Sequence, residues 1–113
     1  MKLYLADLWS PDLVPADSGL PEDQSHFEVF MQVAVSEHGA QGHEVFGFTV
    51  SSPSRLGLRD TEWFVTNTLC LKVFSWREIT ECLESLLRQC GASNTWDEVI
   101  ECLRGYLEHA DSP

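Results

Sequence analysis

The sequence predicts an α+β domain: an antiparallel four-stranded sheet packed by two C-terminal helices. Two observations carry the prediction. Residues up to about 74 hold four apolar or alternating runs, separated by glycine- and proline-bearing segments, the pattern of strands. The last third holds two capping-box motifs, each followed by an apolar stripe at helical spacing. Strands first and helices last is the order of a sheet covered on one face by helices. At 113 residues, with 43% apolar content, four Trp and six Phe, the chain has the material for one domain spanning 1–113.

The first strand is expected at about 3–9, LYLADLW, with Leu3 and Leu5 on one face. Residues 10–25 follow with three prolines, a glycine and the acids Asp12, Asp17, Glu22 and Asp23, a composition that forbids regular structure. In residues 26–36, Phe27, Val29, Met31, Val33 and Val35 share one face, while Glu28 and Gln32 point the other way. Residues 43–52 resume the pattern with Phe46, Phe48 and Val50 inward. The intervening EHGAQG carries two glycines, so 26–52 reads as a β-hairpin. Pro53 ends that strand, and SPSRLGL is expected to form a short helical turn capped by Ser52 or Ser54. A fourth strand is expected at roughly 64–74, with Leu69, Leu71 and Val73 on a common face.

Two helices complete the chain. Over about 76–90, a box of Ser75 and Glu78 precedes a stripe of Ile79, Leu83, Leu86, Leu87 and Cys90, and Gly91 stands where the helix should stop. Over about 96–109, Thr95 and Glu98 repeat the box before Val99, Ile100, Leu103, Tyr106 and Leu107. SWREITECL and TWDEVIECL use one cap-and-stripe solution twice; a repeat architecture would need more copies. Trp76 and Trp96, each just after a cap, are expected to pack against the sheet.

Charge narrows the function. The chain carries a formal net charge of −11, and its first 54 residues hold one cation, Lys2, against eight carboxylates. Such a field repels nucleic acid and anionic membranes and draws basic partners. No stretch approaches the ~20 apolar residues of a membrane span. Asp7 interrupts any apolar leader, so a cytoplasmic protein is expected.

The residues offer little chemistry. Cys70, Cys82, Cys90 and Cys102 contain no C-x-x-C pair; free structural thiols in a reducing compartment are the first reading and a disulfide the second. His38 and His43, beside Glu37 and Glu44, lack a second ligand pair at rigid spacing and read as a solvated turn, so neither metal nor cofactor is expected. No phosphate-binding glycine loop occurs, and the loop acids lack the spacing of a calcium loop. Cysteines on buried stripes argue against a cysteine–histidine catalytic pair, and no catalytic residue is assigned. What remains is a binding module. Its candidate contacts are the loop acids Asp12, Asp17, Glu22 and Asp23, the turn acids Glu37 and Glu44, and Asp60, Glu62 and Trp63, where a Trp can anchor an interface within an acidic rim.

Several segments in order resemble one known family. They are WSPD at 9–12, the acidic proline-rich loop, GHEVFGFTVSSP at 42–53, LCLKVF at 69–74 and TWDEVIECL at 95–103. Together they are similar to immunity protein 8 of bacterial polymorphic-toxin and contact-dependent growth inhibition systems, over nearly the whole chain. The chain departs from the family at Arg55, near where a bulky aromatic is usual. The resemblance implies a cytoplasmic protein without enzymatic activity, binding the toxin domain encoded beside it one to one. Independently of it, a four-stranded sheet leaves an edge free for pairing, so a homodimer is an open alternative. Many such toxins are nucleases with a basic substrate site, which an acidic inhibitor can occlude. The alternatives are an acidic adaptor for another basic protein and a small metal-dependent enzyme built on the His and Glu residues.

Overall fold

Strand β2 (Glu28–Glu37) and strand β3 (Glu44–Ser51) form the antiparallel hairpin at the centre of the sheet. In this computed structural model, which describes residues 2–39, 41–56 and 67–109, their register sets Val29 against Val50, Met31 against Phe48 and Val33 against Phe46. All six are buried, as the alternation requires. Gly39 and Gly42 turn the chain at φ +85 and +88, where a residue with a Cβ would be strained.

Strand β1 (Leu3–Trp9) pairs antiparallel with β2, and a bulge at Ala6 shifts its register between Leu5, opposite Val35, and Asp7, opposite Ala34. Unbroken alternation would carry Asp7 and Trp9 inward with Leu3 and Leu5. The extra residue resets the phase, so Leu3, Leu5 and Leu8 pack on the core, and Tyr4, Asp7 and Trp9 take the opposite face.

The far side of β3 is shared by two strands. Strand β4 (Thr68–Cys70) runs parallel to Thr49–Ser51, and strand β5 (Glu108–His109) runs antiparallel to Phe46–Gly47. The expected α+β class, a mostly antiparallel sheet with two C-terminal helices, holds; in detail, the sheet among the described residues has five strands and one parallel pair where four antiparallel strands are expected. A parallel neighbour needs a long return connection, and residues 52–67, which include the one-turn helix α1 (Pro53–Leu56), supply it. Of the strand expected at 64–74, residues 64–66 lie outside the described residues. At its other end the Leu71 N–H makes a last bond to Ser51 O at 3.0 Å, after which the chain turns away and leaves Val73 exposed.

Helix α2 (Trp76–Cys90) follows the expected bounds, but helix α3 (Trp96–Arg104) stops short of the expected 109. Gly105 follows it, and the Leu103 carbonyl accepts from the N–H groups of both Tyr106 (2.9 Å) and Leu107 (2.7 Å), closing the last turn. That frees Glu108 and His109 to join the sheet. Both caps form: the Ser75 and Thr95 side-chain oxygens accept from the N–H groups of Glu78 and Glu98, each at 3.2 Å. The Glu98 carboxylate accepts from Asn94 N–H, one residue ahead of the cap. Ile79, Leu83, Leu87, Cys90, Val99 and Leu103 bury the two stripes against the inward residues of the sheet.

The expectation of free thiols is corrected at one pair. Cys90 and Cys102 form a disulfide across the α2–α3 turn, with Cα atoms 5.6 Å apart, while Cys70 and Cys82 are free. The tight turn after Cys90 folds α3 back on α2, and this places both sulfurs on the shared side. Trp76 does more than pack: its indole N–H donates to Gly19 O at 2.7 Å, tying the proline-rich loop to the start of α2. Trp76→Phe keeps the ring and deletes the donor; a loss of about 1 kcal/mol is expected in chemical denaturation. No helix among the described residues is long and apolar enough to cross a membrane.

Candidate functional site

The acidic loop is tied down by its own polar groups. The Ser10 hydroxyl donates to Phe30 O, and the Asp12 carboxylate accepts from Phe30 N–H at 2.9 Å. Two side chains thus continue the ladder that β1 leaves off at Trp9. Leu13 reaches the core, and Phe74 N–H donates to Gln24 O at 2.8 Å. Asp23 accepts from the backbone N–H and then the hydroxyl of Ser25, which together hold its carboxyl below the usual carboxylate range. Asp12 and Asp23 are therefore structural groups as well as surface charges.

Asp17 and Glu22 are exposed, as are Asp12 and Asp23, and Asp17 accepts from the neighbouring Ser18 hydroxyl at 3.4 Å. Glu37 is half-buried at the end of β2, opposite Leu3. Glu44 meets His109 Nε2 at 2.8 Å, and the largely buried imidazole lies 4.9 Å from the Phe46 ring. A helix over 96–109 would contain His109, so its contact with Glu44 has no signal in the sequence pattern. Asp60, Glu62 and Trp63 lie outside the described residues.

The histidines beside the hairpin turn do not converge. His38 packs on Tyr4 with ring centroids 4.7 Å apart, and His43 is exposed. Among the described residues, no group of three His, Cys, Asp or Glu side chains is arranged to hold a metal ion. Desolvation pushes the Cys70 thiol up; desolvation and then the charges of Glu78 and Glu81 push the Cys82 thiol up. Both remain protonated near neutral pH, the reverse of what a nucleophile needs. A cleft of about 660 Å³ opens between the start of β1 and the end of α2, lined by Lys2, Tyr4, His38, Glu84 and Arg88 among others. Its lining mixes both signs of charge.

The family model for immunity protein 8 matches residues 9–109, nearly the whole chain. The chain belongs to the immunity protein 8 family. Comparison with curated proteins and with solved structures gives no match. An immunity protein acts in a toxin system by binding a cognate toxin, so the relevant surface of this immunity protein 8 chain is a protein-binding one. The sheet also carries an exposed aromatic that the list of acids does not contain. Phe30, 37% exposed, shares its parity with Glu28 and Gln32, and with Tyr4 and Trp9 it stands on the face turned away from the helices. The signal was present in the alternation of 26–36, in which Phe30 is the one aromatic on the polar side.

Proposed function

We propose that this immunity protein neutralises a basic toxin domain, of the nuclease class, by binding it one to one in the cytoplasm and covering its active site. The inhibition requires no catalysis by the immunity protein. Family membership supplies the toxin partner, and the observation that carries the charge argument is the net −11 of the chain. A nuclease must hold phosphates with cations, so its substrate groove attracts the same field that repels nucleic acid from this protein. Among the described residues, Asp17, Glu22, Glu28 and Glu37 are the carboxylates of the loop and hairpin with no backbone or histidine partner; of these, Asp17, Glu22 and Glu37 serve as steering charges and rim contacts. Asp12, Asp23 and Glu44 add to the field from positions fixed by their own bonds.

Steering makes association sensitive to salt, because the Debye length falls from ~10 Å at 0.1 M to ~3 Å at 1 M. With the toxin domain encoded beside the gene, the association rate is expected to fall about tenfold or more between low and high salt. Stopped-flow mixing measures it. A rate that stays flat across that range would remove the electrostatic account and leave an inhibitor that binds by shape and apolar contact alone. Co-expression that fails to rescue growth would remove the function itself.

A further inference from the structure

We propose that the outer face of the sheet is the surface on which the toxin domain docks, with Phe30 and Trp9 as aromatic anchors for an arginine- or lysine-rich patch of the partner. The proposal rests on the function given above and names the face that performs it. The two long helices pack on the inner face. Of the outward-facing residues, Ala34, Ser36 and Ser51 are buried, while Tyr4, Asp7, Glu28, Phe30 and Glu108 are exposed. Antiparallel sheets commonly leave such a face polar. Here it carries three aromatic residues: Tyr4 at 39% and Phe30 at 37% exposure, with Trp9 half-buried.

These rings are held in place before any partner arrives. The Trp9 indole N–H donates to Gln32 Oε1 on the neighbouring strand at 2.9 Å. Phe30 lies over Gly47: a Cβ at that position would meet Phe30 Cζ at 2.8 Å, so the glycine provides the seat for the ring. An aromatic fixed in its bound rotamer loses little entropy on binding, and aromatic residues dominate interface energetics.

Charge selects the occupant. None of the five strands contains a lysine or arginine. Asp7, Glu28 and Glu108 put three carboxylates on the outer face, opposite Ala34, Ser51 and Gly47 respectively. A guanidinium can stack on Trp9 or Phe30 while its charge is met by a flanking carboxylate. A partner of the same sign, including a second copy of this acidic chain, is repelled.

The test uses the full-length protein and the neighbouring toxin domain in a catalytically silenced form, titrated by calorimetry at physiological salt. Phe30→Ala and the double variant Glu28→Lys/Glu108→Lys are each expected to weaken binding about tenfold or more. A control with the same charge change on helix α3, Asp97→Lys/Glu101→Lys, both exposed and outside the cleft that Tyr4 lines, is expected to stay within about threefold, since screening confines charge effects to the neighbourhood of the contact. Melting curves run alongside; the lysine double variant alters exposed side chains and keeps the test valid if Phe30→Ala unfolds. Face variants that bind like wild type overturn the proposal, as does a control that loses as much as the face double. If wild type itself does not bind the toxin domain, the function falls and the assignment of the face falls with it.

Discussion

Phe46→Ala is expected to cost about 4 kcal/mol, a large share of the stability of a domain whose total is ~5–15 kcal/mol. Phe46 is fully buried in the middle of β3, opposite Val33 on one side and His109 on the other. Its ring also covers the imidazole that reaches Glu44, so the cavity would open beneath the two-residue strand β5. Strands and helices close over this point from both sides, which limits collapse into the void. Urea denaturation of the variant measures the loss. A value below about 1.5 kcal/mol would mean that the site collapses freely and that the centre of the core lies elsewhere.

The disulfide sets the second large effect. Closing a loop with a sequence separation of 12 restricts the unfolded chain by about 3 kcal/mol in the chain-entropy account. Cys102→Ala is chosen because Cys90 is fully buried and stays in place. The expected fall in melting temperature is roughly 10 °C for a domain of this size. Scanning calorimetry of oxidised wild type, of wild type with a thiol reductant and of Cys102→Ala should give one high and two matching low transitions. Three coincident transitions would show that the crosslink contributes nothing to stability.

The parts of the fold written in short-range periodicity were legible. The alternation of Phe27 to Val35 and of Phe46 to Val50, and the two capped stripes, each depend on neighbours within a turn or a strand. Features set by distant partners were not. The parallel pairing of Thr68–Cys70 depends on how residues 52–67 return the chain, and β5 depends on Glu44 and Phe46, more than sixty positions away in sequence. The Cys90–Cys102 bond follows from the turn between two helices, which cysteine spacing alone does not reveal.

The candidate site divides along the same line. Counting acids located the charge, but only coordinates show that the Asp12 carboxylate is engaged by Phe30 N–H and that of Glu44 by His109. Phe30 was passed over for the opposite reason. A lone aromatic among polar neighbours looks like noise until Tyr4 and Trp9 are found on the same face, and their placement required the bulge at Ala6.

That bulge also bears on self-recognition. Strand β1 is an edge of the sheet, and a regular edge offers evenly spaced donors and acceptors to any passing strand. The irregularity at Ala6 breaks this spacing midway along the strand. Side chains of Ser10 and Asp12, in place of main chain, continue the ladder beyond Trp9. The edge of β1 therefore falls into two short stretches, Leu3–Leu5 and Asp7–Trp9, in place of one regular run. One extra residue thus brings Tyr4 and Trp9 onto one face and, by the same shift, interrupts the regular spacing of the sheet's free edge.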